Sequence, residues 1–258
     1  MYAKLDMARD GCYTKLDMAR DGCASLLGTS HKIDLSDQWD EAYLSTILYL
    51  AAYKTAVDGI VRNLCPMASQ GCAEGCLKTA GHGGRHTVQE VRIARTKLYW
   101  RDRARFVAIL LDAIHKHRRK ARRLSKTPVV RLNGTSDIGW ETMGILEQTP
   151  DVIYYDYTKH VKRMKRYVAG ELPDNYSLTF SRSEDNDTDC AEVLAMGGTV
   201  AMVWRSYVPT SHVVDGIRYE VIDGTKHDLR FLDKPGVIVG LRALAKAKYD
   251  KTGFVLEN

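Results

Sequence analysis

The feature that most constrains the fold is a series of short, continuous apolar runs in the second half of the chain. The runs occupy residues 129–132, 152–155, 176–180, 199–204, 219–222 and 236–241, and an alternating apolar segment at residues 43–51 precedes them. Runs of this length, spaced by roughly 20 residues, are typical of buried, mostly parallel strands joined by crossovers. We therefore predict an α/β fold of the TIM-barrel type, a complete or partial barrel of about six to eight mostly parallel strands. A doubly wound open sheet is the alternative.

The length and composition of the chain fit one domain. With 258 residues, of which 45% are hydrophobic, the chain can build one continuous core. The first part of the chain differs from the rest because it contains a tandem repeat. Residues 2–12 recur as residues 13–23 with a single change, Ala3 to Thr14. Two copies are too few for a solenoid, which needs about three stacked units. We predict a duplicated leader over residues 1–29 and a single α/β barrel-like domain over residues 30–258.

Cysteine usage bears on the compartment and on the chemistry. The sequence contains no run of about 18 apolar residues, and its start lacks the basic and apolar regions of a secretory signal. We therefore expect no membrane span and a cytoplasmic location. In a reducing cytoplasm the six cysteines are expected to be thiols or metal ligands rather than disulfides. Cys12 and Cys23, which end the two repeats, are interpreted as loosely attached thiols.

Three cysteines form a cluster with the spacing C-x6-C-x3-C, at Cys65, Cys72 and Cys76. Thiolates are soft ligands suited to zinc or to an iron–sulfur cluster, and three on one loop can meet at one centre. One coordination position is left over: His82 or His86 would fill it in a structural zinc site, whereas a catalytic site keeps it open. Three buried thiols without a metal are the alternative, which the polar, glycine-rich surroundings disfavour.

A strongly basic segment follows at residues 95–126, with 12 Lys and Arg residues against Asp102 and Asp112. Its apolar residues recur at helical spacing before a run of positive charge, so we predict a helix. The candidate nucleic-acid contacts are Arg118, Arg119, Lys120, Arg122 and Arg123. Such a strip can neutralise phosphates and release their counterions. A solvated face at a helix C-terminus is the equally weighted alternative.

Polar residues follow four of the predicted strands. They include Asn133, Ser136, Asp137 and Glu141 after the first run, Asp156 and Lys159 after the second, Ser181 after the third, and Asp223 and Asp228 after the fifth. In a parallel α/β fold these strand ends emerge on one face, where active sites are built. Each residue alone is better explained as a helix cap or turn former. Together they predict a site.

Several motifs give the chain a family resemblance. They are C-P-x-A-S-x-G-C-x-x-x-C-L-x-T-A-G from Cys65, V-R-L-N-G-T-S-D-I-x-W-E from Val130, Y-D-Y-T-K from Tyr155, N-Y-x-L-T-F-S from Asn175, D-L-R-F-L-D from Asp228 and the late Gly253-Phe254-Val255. On these motifs the chain from Tyr43 onward resembles the phage gene product 88-like family. It departs from the family pattern at Ala52, where an insert at residues 53–62 follows, and in the duplicated leader.

The resemblance implies a phage protein in the host cytoplasm, with no established reaction. Its layout is similar to radical SAM barrels, in which a three-cysteine loop follows the first strand, although the usual C-x3-C-x2-C spacing is absent. It implies that Cys65, Cys72 and Cys76 hold an iron–sulfur cluster that binds S-adenosylmethionine. Asn133, Ser136, Ser181, Asp223 and Asp228 would then contact the cofactor. Asp137, Glu141, Asp156 and Lys159 would be the catalytic residues, acting on nucleic acid or a nucleotide.

Two other functions fit the same residues. In a transglycosylase-type base exchange, which inserts a deazaguanine into DNA or RNA, Asp137 and Asp156, or Asp223 and Asp228, would be the two working carboxylates, and a cysteine-rich zinc site would be structural. A non-catalytic nucleic-acid-binding phage protein needs only the basic helix and a closed zinc site.

Overall fold

The computed structural model describes residues 25–257. Its strands are β1 (Leu27–Gly28), β2 (Tyr43–Leu48), β3 (Lys54–Val57), β4 (Ile60–Asn63), β5 (Thr127–Arg131), β6 (Ile153–Thr158), β7 (Tyr176–Ser181), β8 (Val200–Trp204), β9 (Ser211–Val214), β10 (Ile217–Asp223), β11 (Ile238–Arg242) and β12 (Val255–Leu256). Its α-helices are α1 (His31–Trp39), α2 (Gln70–Glu74), α3 (His86–Arg101), α4 (Arg103–Arg123), α5 (Val161–Val168) and α6 (Asp187–Ala195). Short 3-10 helices cover Leu77–Thr79, Gly81–Gly84, Trp140–Thr142, Arg230–Leu232 and Ala245–Tyr249.

The predicted parallel strands form one sheet. Its order is β1-β2-β5-β6-β7-β8-β11-β10-β9, with β12 paired to the end of β8. Every pairing from β2 to β10 is parallel, and only β1 and β9 at the two edges are antiparallel. The prediction of an α/β fold with a mostly parallel sheet is confirmed. Within residues 25–257, no pairing joins the β1 end of the sheet to the β9 end.

One face of the sheet carries the main core. Val130, Tyr154, Leu178 and Met202 point to this face from four successive strands and are at most 3% exposed. Side chains of α3, α4, α5 and α6 pack against them. Because side chains alternate along a strand, the next residues along, such as Arg131 and Tyr155, belong to the opposite face.

The opposite face is covered by α1 and by the segment that follows β10. Asp228 in this segment donates its backbone N–H to Ser36 Oγ of α1, at 2.7 Å. The Phe231 ring lies 5.1 Å from Tyr43 and 6.0 Å from Tyr155, measured between ring centroids. The same segment therefore contacts β2 and β6, although it begins at the end of β10.

The basic segment forms two helices, where the sequence predicted one. The break lies at Asp102, whose backbone φ of −145° is not helical. Its carboxylate accepts a hydrogen bond from the Arg105 backbone N–H at 2.9 Å, which caps the second helix. An aspartate at this position accepts a hydrogen bond from a backbone N–H that has no partner within the helix. The spacing of apolar and charged residues carries no sign of this cap, and the break between the two helices was therefore not predicted.

The insert at residues 53–62 is a β-hairpin of β3 and β4. Its turn residues Asp58 and Gly59 both have positive φ, 51° and 77°, as a two-residue type I′ turn requires. This hairpin leads the chain directly from β2 into the cysteine loop.

No helix within residues 25–257 is both long enough and apolar enough to cross a membrane. The tandem repeat, with Cys12 and Cys23, lies outside the described residues.

Candidate metal centre at the carboxyl edge of the sheet

The cysteine loop lies on the carboxyl edge of the sheet, beside the loop that follows β5. Leu64, just before the first cysteine, accepts a hydrogen bond from the Asp137 backbone N–H at 2.8 Å. The Cys65 thiol donates to the Thr135 carbonyl across 3.6 Å. The structure therefore brings the start of the three-cysteine loop beside the polar residues that follow β5.

The middle of the loop is a single helical turn, α2. Ser69 caps it, because its hydroxyl accepts from the Cys72 backbone N–H at 3.2 Å. Glu184, from the loop after β7, accepts from the Ser69 hydroxyl at 2.7 Å and from the Gly71 backbone N–H at 2.6 Å. Glu184 thus fixes the cysteine loop to the sheet. Sequence reasoning assigned it no role, although its acidic side chain follows a buried strand as the other candidates do.

The three thiols influence one another electrostatically. Burial raises the pKa of Cys65 to about 12, with smaller contributions in the same direction from Cys76, Cys72 and Asp137. Burial also raises the pKa of Cys72, against the charge and hydrogen bond of Lys159. The three cysteines lie within twelve residues of one loop, so these contributions act between close neighbours along the chain. These surroundings favour the uncharged thiols of Cys65 and Cys72.

Several observations bear on whether this group fits a metal. The donor set is three soft sulfur atoms on one loop, which suits zinc or an iron–sulfur cluster. Within residues 25–257 no three Cys, His, Asp or Glu side chains stand ready-made around a single ion, so the thiols must turn toward one another to bind one. His82 lies in the exposed turn Gly81–Gly84, and His86 contacts Glu90 at the surface at 3.4 Å.

Lys159 is the predicted catalytic residue closest to the cysteines. Its ammonium donates to Ser181 Oγ at 2.8 Å and lies 5.6 Å from the centre of the Phe254 ring. Its backbone N–H donates to Asp137 Oδ2 at 2.8 Å. The side chain is only partly buried. Lys159 and Ser181 therefore lie together beside Cys72, the arrangement expected if these residues and the cysteines belong to one site.

The carboxylates Asp137 and Glu141 are held by an arginine of α5. Arg163 donates to Asp137 Oδ1 at 3.1 Å and to both oxygens of Glu141, at 2.9 and 2.8 Å. It also donates to the Tyr176 hydroxyl. Bidentate pairing of this kind fixes geometry. Both carboxylates therefore hold the loop after β5 against α5, and Asp137 also holds the chain that follows β6.

Asp156 lies beneath this group and is fully buried. One oxygen accepts from the Asn133 backbone N–H at 2.6 Å, and the other accepts from the Asn133 amide at 3.2 Å and from the Tyr176 hydroxyl at 2.9 Å. Burial raises its pKa to about 7, and the Arg163 charge opposes the shift. No bound substrate can reach Asp156 without displacing these donors.

Asn133 organises the loop after β5. Its side-chain oxygen accepts from the Ser136 hydroxyl at 2.8 Å, the Ile138 backbone N–H at 3.0 Å and the Trp140 indole N–H at 3.1 Å. A buried amide with all its groups bonded specifies one conformation of the chain. The structure thus gives Asn133 and Ser136 a role in shaping the loop.

Asp223 and Asp228 lie away from the cysteines. The exposed Asp223 carboxylate accepts from the Thr225 backbone N–H at 2.9 Å, within its own turn. Asp228 is buried on the opposite face of the sheet with Arg131. The sequence placed both on the same rim as Asp137. It did not show that β10 is almost at the far end of the sheet, or that the chain after β10 crosses to the other face.

The last part of the chain packs on the cysteine loop. A Cβ atom on Gly71 would lie 2.2 Å from Thr252 Oγ1 and 2.5 Å from Phe254 Cβ, so only glycine fits at this position. Arg182 donates to the Gly253 and Phe254 carbonyls, at 2.7 and 3.2 Å. A cleft of about 650 Å³ remains beside α2, and Tyr249, which is 80% exposed, contributes to its wall. Its other lining residues are Gln70, Glu74, Gly75, Lys246, Asp250, Lys251 and Thr252.

The basic end of α4 lies at the opposite edge of the sheet. Arg118 and Arg122 pair with Asp151, two residues before β6, at 2.5 and 3.0 Å. His117 contacts the Leu44 carbonyl near the start of β2 at 2.9 Å. Both contacts are at amino ends of strands, whereas the cysteine loop is at the carboxyl ends. The sequence could not show this separation.

The protein-family model described as Gene product 88 matches residues 26–258. No curated protein and no solved structure matches the chain. The matched region begins four residues before the domain boundary predicted at residue 30 and takes in the cysteine loop and every strand of the sheet.

Proposed function

The chain belongs to the gene product 88 family, and we propose that its three-cysteine loop holds a metal centre, an iron–sulfur cluster in the first instance. We further propose that the protein is an enzyme acting on a nucleotide or nucleic acid in the host cytoplasm. One observation carries the proposal: the loop that contains Cys65, Cys72 and Cys76 lies at the carboxyl edge of a parallel sheet, where Leu64 and Cys65 are hydrogen-bonded to the loop that follows β5. In open and closed α/β folds, this edge is where catalytic groups gather.

The layout supports a radical SAM-like protein. The cysteine loop follows β2, the first parallel strand, as the resemblance to those barrels implies. A cluster bound there would supply one-electron chemistry. Lys159 is placed to hold a substrate carboxylate or phosphate or to transfer a proton at its ammonium, with Ser181 Oγ fixing its direction. Glu184 keeps the loop in place.

A partial barrel is the form of the fold that we propose. Phe231 lies eight residues beyond the end of β10, yet its ring contacts Tyr43 of β2. The strand order separates β10 from β2 by six pairings, about 29 Å across a flat sheet at ~4.8 Å a strand. Eight residues span at most about 29 Å even when fully extended, and part of this segment is a 3-10 helix. A curled sheet explains the contact.

The experiment that tests the metal centre is anaerobic purification with measurement of iron, sulfide and zinc. We expect brown protein with the visible absorption of an iron–sulfur chromophore, and loss of iron when Cys65, Cys72 or Cys76 is replaced by serine. Cys190→Ala is the matched control, because Cys190 is a free, buried thiol of α6 outside the loop. Colourless protein that contains one zinc ion would show that the loop holds zinc in place of an iron–sulfur cluster. Protein without any metal would overturn the proposal.

Base exchange has weaker support. It needs two carboxylates that reach one substrate, but Asp156 and Asp228 are fully buried and hydrogen-bonded. Asp137 is held by Arg163 and by the Lys159 backbone, and Asp223 lies at another part of the sheet. Each proposed pair therefore contains one carboxylate enclosed by protein groups.

Binding of nucleic acid at the basic end of α4 is a second candidate function. Arg119, Lys120 and Arg123 are exposed and form no ion pair within the described part of the chain. Three such charges can neutralise three phosphates. This function needs neither the cysteines nor the carboxyl edge.

Salt-dependent binding to duplex DNA tests the second candidate. We expect the triple variant Arg119→Gln, Lys120→Gln and Arg123→Gln to bind more weakly and to reduce the slope of log K against log salt by about three. The control is Lys246→Gln, Lys248→Gln and Lys251→Gln, which removes the same charge near the cysteine loop. If the affinity of the unmodified protein for DNA did not change with salt concentration, the basic segment would be a solvated surface that binds no phosphates. A larger loss in the control would place the DNA at the carboxyl edge.

A further inference from the structure

The cleft beside α2 is formed by residues other than the three cysteines. It has a volume of about 650 Å³, within the range of pockets that bind small molecules. One wall is α2, the turn that carries Cys72, and the other is the chain from Lys246 to Thr252. A ligand in the cleft would therefore lie against the same helical turn that positions the second cysteine.

The two walls of the cleft are packed against each other at two points. A Cβ atom on Gly75, just after α2, would lie 3.2 Å from Ala247 Cβ, and one on Gly71 would lie 2.2 Å from Thr252 Oγ1. Glycines at these positions let the two backbones approach closely. The cleft is therefore preformed, which lowers the entropic cost of binding a ligand there.

Tyr249 is the aromatic residue of the cleft, and its side chain is 80% exposed. The backbone on both sides of it is fixed, because Arg205 donates to the carbonyls of Lys248 and Asp250. The Asp250 carboxylate in turn accepts from the Val255 backbone N–H at 3.0 Å. A tyrosine ring on a fixed backbone offers a face on which a flat aromatic ligand can stack.

The turn that carries this ring begins with a strained residue. Ala245 has a φ of 47°, in the left-handed region that residues other than glycine rarely adopt. Backbone strain of this kind collects at ligand-binding and active sites. It is a second sign, independent of the cleft's shape, that this turn serves a ligand.

The charged groups of the cleft favour an anion on one wall. The chain from Lys246 to Thr252 carries three lysines against one aspartate, and the lining residues Lys246 and Lys251 are exposed. This wall therefore keeps a positive charge. On the other wall, Gln70 Nε2 donates to Glu74 Oε1 at 3.0 Å. Amide and carboxylate groups of this kind can bond the hydroxyls of a ribose or the edge of a base.

We propose that this cleft binds a nucleotide, with its base stacked on Tyr249 and its phosphates held by Lys246 and Lys251. The inference rests on the proposed function and adds to it the place where the nucleotide binds and the residues that recognise it. A base within a duplex is stacked between its neighbours, so its face is not accessible to a tyrosine ring. The cleft therefore takes a free nucleotide or an unpaired base of a strand.

Binding of a fluorescent nucleotide to the whole chain tests the role of Tyr249. The probes are 2-aminopurine riboside 5′-triphosphate and a short single-stranded DNA with one central 2-aminopurine; anisotropy gives the affinity, and quenching reports stacking on the base. We expect Tyr249→Ala to abolish the quenching and to weaken binding by about 5–150-fold. Tyr249→Trp, which keeps an aromatic face, should retain both. Tyr207→Ala is the control, since Tyr207 is a 60% exposed tyrosine outside the cleft.

The phosphate contacts are tested with the same probes. Lys246→Gln combined with Lys251→Gln should weaken binding of the triphosphate and reduce its dependence on salt concentration, because the anion loses two cationic partners. Lys162→Gln combined with Lys226→Gln removes the same charge from exposed positions outside the cleft and should change neither. The probe that binds more tightly identifies the source of the nucleotide, and either source supports the inference.

Failure of this inference can be told apart from failure of the proposed function. If the unmodified protein quenches neither probe, the cleft is not a nucleotide site, whereas the metal content still decides the metal centre. If Tyr249→Ala binds the probes as tightly as Tyr207→Ala does, the nucleotide binds elsewhere, and only the inference is overturned. Metal-free protein that binds the probes through Tyr249 would support the cleft and overturn the metal centre.

Discussion

Replacing Asp228 with asparagine is expected to lower the free energy of unfolding by about 3–5 kcal/mol, as for other buried charges that lose their partner. The carboxylate is 1% exposed and lies 3.1 Å from the Lys32 ammonium and 2.7 Å from Arg131 Nη1. The hydroxyls of Tyr155 and Tyr157 donate to its two oxygens, each at 3.0 Å. The asparagine amide has only one accepting oxygen, and its NH2 group, which cannot accept a hydrogen bond, would face some of these donors.

The charges around Asp228 decide the sign of its pKa shift. Burial alone raises the pKa of this carboxyl, but Lys32, Arg131 and Arg230 outweigh it, and the pKa lies well below the usual range. Because the pKa is lower in the folded chain, the stabilisation is fully present above about pH 4 and is lost as the pH falls through the folded-state value. The difference between the two proteins should therefore be constant near neutral pH and shrink in strong acid.

Asp223→Asn is the matched control for this prediction. Asp223 is exposed and lies five residues earlier, and asparagine can still accept from the Thr225 backbone N–H. We expect a change below about 1 kcal/mol. Denaturant unfolding followed by tryptophan fluorescence measures both variants, and for Asp228→Asn we expect the melting temperature to fall by roughly 6–20 °C. An Asp228→Asn protein as stable as the Asp223→Asn control would show that the three cations do not depend on this carboxylate.

Replacing Gly71 with alanine is expected to cost about 1–3 kcal/mol, the range found for overpacked sites. The new methyl group would lie 2.2 Å from Thr252 Oγ1, 2.5 Å from Phe254 Cβ and 3.0 Å from Glu184 Oε2. The end of the chain or the cysteine loop must therefore move. Since Glu184 holds this loop through the Gly71 backbone, we also expect weaker metal binding.

A double variant separates a local clash from a general loss of helix or sheet stability. Thr252→Ala removes one of the clashing atoms, so Gly71→Ala combined with Thr252→Ala should lose less stability than the sum of the single changes. Gly28→Ala is the control, because a Cβ atom added to Gly28 would have no neighbouring atom within 4 Å. Additive losses, or equal losses at Gly28 and Gly71, would contradict the close packing of the chain end on the cysteine loop.

The elements that the sequence predicted well are those whose signal is local. Apolar runs marked β5 to β8 and β11, because a strand buried on both faces must be apolar throughout, and a shorter apolar run marked the more exposed β10. The cysteine spacing and the motifs from Val130 onward identified the family over most of the chain. The break at Asp102 and the hairpin at residues 53–62 were missed. A capping side chain and a type I′ turn leave only one- or two-residue signals.

The site was predicted in part. The sequence brought Cys65, Cys72, Cys76, Lys159 and Ser181 to one edge, and the structure places Lys159 with Ser181 beside Cys72. It did not reveal Glu184, whose role comes from contacts with residues far away in the chain.

By itself the sequence determined the class of fold, the family and the group of three thiols, because each depends on residues close together in the chain. Only the tertiary structure decided which polar residues share that site. Strand order carries β10 away from β2, and the segment after it crosses to the other face, so Asp228 stabilises the interior while Asp137 borders the cysteines. Burial then distinguished carboxylates that the sequence treated alike: Asp156 is enclosed by its hydrogen-bond donors, whereas Asp223 is exposed.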